Sequence, residues 1–233
     1  MRYSIIYCAL LAALFLSFTA CDDDPGIEII ELKLETLPFD RITLETSSDV
    51  RIIQSDAFEV VIRGKENEVN DVQVGVINER LSIEDHAFSG ADLTIQVFVP
   101  EIRELESHGS SLVYGESNFT QSTNMDISLS GSGEIDFAVF TDDLDVELNG
   151  SGYVYLEGDV HTLDAEVSGS GWLRSFELLT TLTDVRIESS GSAEVSVAND
   201  LDVFLLGSGD VYFKGHPSIS ADITGSGSVI DAN

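Results

Sequence analysis

The chain has 233 residues, with 11 Lys and Arg against 42 Asp and Glu and a formal charge of −31 at pH 7. A surface this acidic repels phosphate backbones and anionic headgroups, which excludes nucleic acid as a partner and electrostatics as the means of holding a membrane. Of the two cysteines, Cys8 falls in an N-terminal leader, so the processed chain has no pair for a disulfide.

Taken in chain order, Arg2 precedes an apolar run from Ile5 to Phe18 that closes in small residues. A run this short, flanked this way, is a secretory signal rather than a membrane span. Its end, Phe18-Thr19-Ala20-Cys21, resembles the bacterial lipobox, with Phe18 in place of the usual aliphatic residue. Residues 1–20 are then a lipoprotein signal peptide, and Cys21 is the lipidation site. The alternative is an ordinary signal with an incidental cysteine. Losing residues 1–20 removes one positive charge, Arg2, and leaves −32 over 213 residues. Acyl chains on Cys21 suffice to anchor such a chain to a membrane. The expected address is extracytoplasmic, on the outer membrane. The following Asp22-Asp23-Asp24 is similar to the acidic tag that sends Bacteroidetes lipoproteins to the cell surface; a solvated linker over residues 21–26 is the plainer reading.

Residues 27–108 carry strand-like alternation in FDRITLETSSDVRIIQ, FEVVIRG, DVQVGVINERLSIED and DLTIQVFVPEIRELE, broken by polar turns. They are expected to be less regular coils of the downstream fold or a β cap, because Arg103 to His108 enter the first repeat without a linker. A separate sandwich is the alternative. A cap is needed at each end to stop edge-to-edge growth.

From residue 109 to 233 a short motif recurs. Aligned on its first glycine it falls at Gly109, Gly131, Gly150, Gly169, Gly191, Gly207 and Gly225, at intervals of 22, 19, 19, 22, 16 and 18 residues. Two, four and six residues before the glycine, 17 of 18 positions in the last six units are apolar, Ser189 being the exception. Strict period two marks a strand with one buried face. Units too small to hold a core must stack, and strand–corner–strand turns of about 16–22 residues make a parallel β-helix. Glycine suits the corner because it takes positive φ without steric cost.

Serine follows each glycine, at Ser110, Ser132, Ser151, Ser170, Ser192, Ser208 and Ser226. A stacked internal ladder of hydroxyls is expected, since no His or Lys recurs at matching spacing to make them nucleophiles. Neither is the motif a phosphate cradle, because no Lys-Ser/Thr follows it.

Phe39-Asp40-Arg41-Ile42, Asp49-Val50-Arg51-Ile52, Leu81-Ser82-Ile83 and Ile95-Gln96-Val97-Phe98-Val99-Pro100 precede these units, which include the variant Ser189-Ser190-Gly191-Ser192-Ala193. As a set they resemble the head-GIN domain family of auto-transporter adhesins, common in Bacteroidetes, over about residues 37–231. The resemblance implies a right-handed β-helix on a secreted or lipid-anchored protein, and it transfers no functional residues.

Stacking turns each repeat position into a column. Five residues before the glycine stand Glu104, Asp126, Asp145, Asp164, Arg186, Asp202 and Ser220; three before stand Glu106, Ser128, Glu147, Glu166, Glu188, Phe204 and Asp222. Asp145, Glu147, Asp164 and Glu166 are candidate calcium ligands, hard oxygens for a hard cation. A solvated acidic face that blocks aggregation is the plainer reading. Beyond the corner, Tyr153 and Trp172 share one position, and Tyr114, Tyr155, Arg174 and Tyr212 share another. Tyr153, Trp172, Tyr155 and Tyr212 are candidates to stack on sugar rings, or simply cover a sheet.

No catalytic residue is assigned. His86, His108, His161 and His216 lack metal-ligand spacing, and no cofactor beyond calcium is implied. The expectation is an adhesin-like binding or scaffold module, not an enzyme. It would meet the membrane through its lipid anchor, and its partner would be a surface glycan or envelope protein. The alternatives are a carbohydrate-active β-helix enzyme and a ligand-free structural envelope protein.

Overall fold

Alternation becomes strand almost everywhere in the computed structural model, which describes residues 29–85, 93–121 and 124–233. The signal segment, Cys21, the acidic linker and His86 lie outside the described residues. The chain runs β1 (Ile29–Glu35), β2 (Arg41–Thr46), β3 (Asp49–Gln54), β4 (Glu59–Lys65), a short helix α1 (Glu66–Asp71), β5 (Gln73–Ile77), β6 (Arg80–Glu84) and β7 (Thr94–Val99). Next come β8 (Glu104–Gly109), β9 (Leu112–Thr120) and β10 (Met125–Gly131). Four long strands follow, β11 (Glu134–Gly150), β12 (Tyr153–Val167), β13 (Trp172–Ile187) and β14 (Ser192–Leu205), and then β15 (Val211–Lys214), β16 (Ser218–Ile223) and β17 (Val229–Asp231).

All seventeen join one sheet wound as a β-solenoid of about six turns. Each long strand serves two ladders. The first leg of β11, residues 134–141, pairs in parallel with β9 and β12; its second leg, residues 143–150, pairs with β10 and β12. Residue sits on residue, so equivalent side chains recur about every 4.8 Å. Leu129, Leu148, Val167, Ile187 and Leu205 form one such inward column, each at most 1 % exposed. Every such side chain contributes about 1.5–3 kcal/mol by leaving water.

The corners explain the glycines, and only partly as positive φ. Gly131 has φ +143°, but Gly169 and Gly225 lie outside the left-handed region. What recurs is close approach: a Cβ on Gly131 would meet the Gly109 carbonyl oxygen at 2.1 Å, and one on Gly169 would meet that of Gly150 at 1.9 Å. The same carbonyls receive the serine N–H groups of the next corner, Ser132 to Gly109 at 2.9 Å and Ser151 to Gly131 at 2.8 Å. The corner backbones therefore form the ladder. Of the serines expected inside, Ser110, Ser132, Ser151, Ser170, Ser208 and Ser226 are exposed, while Ser192 is buried and its hydroxyl accepts the Asp210 N–H at 3.2 Å; Ser208 meets the hydroxyl of Ser190, also at 3.2 Å.

One corner is shifted from the sequence alignment. Ser208 and Gly209 both donate to the Ser189 carbonyl, at 2.9 and 3.2 Å, as Ser170 and Gly171 do to Gly150. Ser189 thus stands in the first-glycine position, and the motif there is Ser189-Ser190-Gly191. Its hydroxyl bonds the Gly169 carbonyl. The coil spacings become 20 and 18 residues in place of 22 and 16, because β13 carries Phe176 to Leu178 as a bulge with no partners in β14.

The N-terminal coils do not stack in chain order. The β2–β3 coil lies between β6–β7 on one side and β8–β9 on the other. Beyond it, β4 adds antiparallel to β7 and β1 antiparallel to β4, and β5 adds antiparallel to β6. With α1 resting on β1 and β4, these reversed strands close that end. The far end is open: β16 pairs only with β14 among the described residues, and all six of its residues are exposed. There Asp231 replaces the inward Phe213 of the previous coil. Asn233 donates to Asp231 from its backbone at 3.0 Å and its amide at 2.6 Å, and it occupies both the N–H and the carbonyl of Gly215, each at 2.9 Å. An inward charge and occupied backbone groups discourage a further strand on this leg.

Candidate functional site

The solenoid offers two outward faces, one per leg. On the second legs, the position of Ser189 rearranges the acidic column. Asp184, not Arg186, follows Asp164, so Asp126, Asp145, Asp164, Asp184 and Asp202 stand on five consecutive rungs. Arg186 moves to the neighbouring column, after Glu147 and Glu166 and before Phe204. Its guanidinium lies 4.4 Å from the Phe204 ring and bonds Glu188 at 2.7 Å.

Burial and the next aspartate along raise the carboxyls of Asp145, Asp164 and Asp184 above the ordinary value. The neighbouring charge comes from Asp126 for Asp145, from Asp145 for Asp164, and from Asp202 and Asp164 for Asp184. The calcium candidates form two adjacent rung pairs, Asp145 with Asp164 and Glu147 with Glu166. Among the described residues, however, no three His, Cys, Asp or Glu side chains converge to hold a metal ion. A straight column presents carboxylates in line rather than around a point. A shallow depression of about 180 Å³ opens farther along, lined by Asp164, Asp184, Arg186, Asp202 and Phe204.

The first legs carry the aromatic residues. Tyr153 is the rung partner of Trp172, Tyr155 of Arg174, and Arg174 is followed by Glu194 and then Tyr212. Their side chains gather into one cluster. Tyr153 and Tyr155 stack at 6.2 Å between centroids and Trp172 on Tyr212 at 6.1 Å, while the Arg174 guanidinium lies 5.2 Å from Trp172, 5.7 Å from Tyr155 and 5.8 Å from Tyr153. Tyr153 is 40 % exposed and Arg174 is exposed. Tyr114 shares the column but is separated from Tyr155 by Asp136 and stays apart from the cluster.

Sequence reasoning missed two members of this face. Lys214 places its ammonium 4.3 Å from the Phe176 ring. Phe176 sits in the β13 bulge, so counting from the glycine misplaces it, and only coil-to-coil register brings the two together.

The family described as "Putative auto-transporter adhesin, head GIN domain" matches residues 38–217. Among solved structures, "a putative adhesin" from Bacteroides fragilis NCTC 9343 aligns with a TM-score of 0.83 at 22 % identity, covering 89 % of this chain and 98 % of its own. A "putative lipid binding protein" from Parabacteroides distasonis ATCC 8503 aligns at 0.69 and 24 % identity, covering 88 % and 97 %. "A putative adhesin" from Parabacteroides merdae ATCC 43184 aligns at 0.68 and 18 %, covering 88 % and 96 %. At such identities these similarities carry the fold. No curated protein sequence matches the chain.

Proposed function

The chain belongs to the family described as "Putative auto-transporter adhesin, head GIN domain", and from that premise we propose a surface-anchored, adhesin-like module that binds a glycan on its first-leg aromatic face. The observation that carries this reading is the gathering of Tyr153, Tyr155, Trp172 and Tyr212, from three coils, around one exposed guanidinium. Sugar rings offer apolar C–H faces to aromatic rings and hydroxyls to the polar groups between them. Because the rings stand on stacked strands, little ordering cost remains to be met on binding. Acylated Cys21 would hold the solenoid to the outer membrane. Among the described residues no helix is long and apolar enough to cross a membrane. The family description speaks for adhesion rather than catalysis.

Trp172 is the single tryptophan, so its fluorescence reports on this face alone. Titration against a broad glycan panel should shift its emission for at least one glycan, and Trp172→Ala should abolish the binding. An emission indifferent to every glycan contradicts the proposal.

A further inference from the structure

We infer that the aromatic face selects a glycan bearing a single carboxylate, a uronate-type sugar on an otherwise neutral chain; this rests on the glycan reading above. Residues 109–233 hold three cations, Arg174, Arg186 and Lys214, among 21 Asp and Glu. In such surroundings a cation without a carboxylate partner is unexpected. Arg186 has one in Glu188. Arg174 and Lys214 make no ion pair among the described residues, and both lie on the aromatic face, held against rings instead. Glu194 occupies the rung between Arg174 and Tyr212 and does not engage the guanidinium.

A cation held by ring faces keeps its N–H donors free. A guanidinium offers a carboxylate two parallel hydrogen bonds, the geometry of a strong, charge-assisted pair. With Trp172 and Tyr153 beside it to receive the ring face, Arg174 meets both parts of an acidic sugar at once. Lys214 lies two rungs and two residues farther, about 12 Å by strand spacing, and would meet a second acceptor along the same glycan. The count of charges on the ligand follows from the protein's own −31: one carboxylate gains a partner, whereas a polyanion is repelled along its length.

The test is calorimetric binding of the intact protein to four probes: a neutral hexose oligomer, the same oligomer ending in one uronate, the methyl ester of that uronate, and a polyuronate of equal length. The uronate-ended oligomer should bind about tenfold tighter than its ester, and the polyuronate should bind more weakly than the single acid. Arg174→Gln should erase the acid–ester difference, Arg174→Lys, which keeps the charge, should retain part of it, and Glu194→Gln should tighten only the acid. Equal binding of acid and ester, or an acid preference that survives Arg174→Gln, overturns the carboxylate inference and leaves the glycan reading standing. Failure of all four probes, joined to a silent Trp172 across the wider panel, overturns both. Arg174-dependent capture of anionic phospholipid vesicles without sugar binding overturns it in favour of a membrane surface.

Discussion

Residues 29–108 and 109–233 share one sheet and treat charge in opposite ways. The first segment has seven Lys and Arg for 17 Asp and Glu, the second three for 21. In the first, Arg80 bridges Glu104 at 2.5 Å and Glu106 at 2.9 Å and Lys33 holds Glu59 at 2.6 Å, while Arg51 reaches across to Glu116 of the second at 2.5 Å. In the second, aspartates follow one another up five rungs with no cation among them. Two unit charges about 4.8 Å apart repel by roughly 0.9 kcal/mol in bulk water. Irregular coils that do not stack in order thus depend on specific ion pairs. Regular coils rest on core columns and corner ladders that outweigh the repulsion they accumulate.

That contrast can be broken most forcefully at glycines. Gly169→Ala drives a Cβ into the Gly150 carbonyl and should cost about 1–3 kcal/mol. In β5, Gly75 has nothing within 4 Å of a new Cβ, so Gly75→Ala should stay within about 0.5 kcal/mol; urea melts of both variants compare them. Charge removal should then act with opposite signs. Arg80→Ala, which loses Glu104, Glu106 and Thr43 together, should destabilise by about 1.5 kcal/mol after allowance for its partial exposure. Asp164→Asn should stabilise by about 0.5–1 kcal/mol by relieving Asp145 and Asp184. Equal signs for the two would dissolve the contrast.

The smallest effect is that of pH. Carboxyls raised in the folded state make the fold bind more protons than the unfolded chain, so stability grows as pH falls. For Asp145, Asp164 and Asp184 this contribution is complete below their ordinary 3.8 and is lost as pH rises through their raised values. Glu106 runs the other way. Burial works against it, but hydrogen bonding from Thr43 and the charge of Arg80 hold it below 4.5, so its contribution persists above 4.5 and goes only in stronger acid. Hydrogen exchange followed from pH 7 down to 3.8 should therefore show protection rising in β11 to β13, while in β2 and β8 it holds until pH falls below 4.5.

Much of this was legible because it is written in period two. The inward columns and the glycine corners follow from alternation and recurrence alone, and Tyr153, Trp172, Tyr155 and Tyr212 fall where counting from the glycine puts them. Three features were not. At the variant corner, counting on Gly191 misassigns Asp184 and Arg186, because Ser189 holds the first-glycine position there and its hydroxyl bonds the Gly169 carbonyl. The bulge at Phe176 hides the pairing of Lys214 with an aromatic ring. The order β6–β2–β8 arises from long-range pairing that no local pattern records.

The stacking register is best tested by a crosslink, in a chain with Cys8 and Cys21 replaced by serine. Rung partners sit about 4.8 Å apart, within the reach of a disulfide, whereas positions displaced by one rung and two residues are about 8 Å apart and out of reach. Oxidised Asp164→Cys/Asp184→Cys should form an intramolecular disulfide, seen as a loss of two mass units and mapped by peptide digestion, while Asp164→Cys/Arg186→Cys should not. A disulfide in the second pair and none in the first would contradict the column of aspartates and the coil register beneath it.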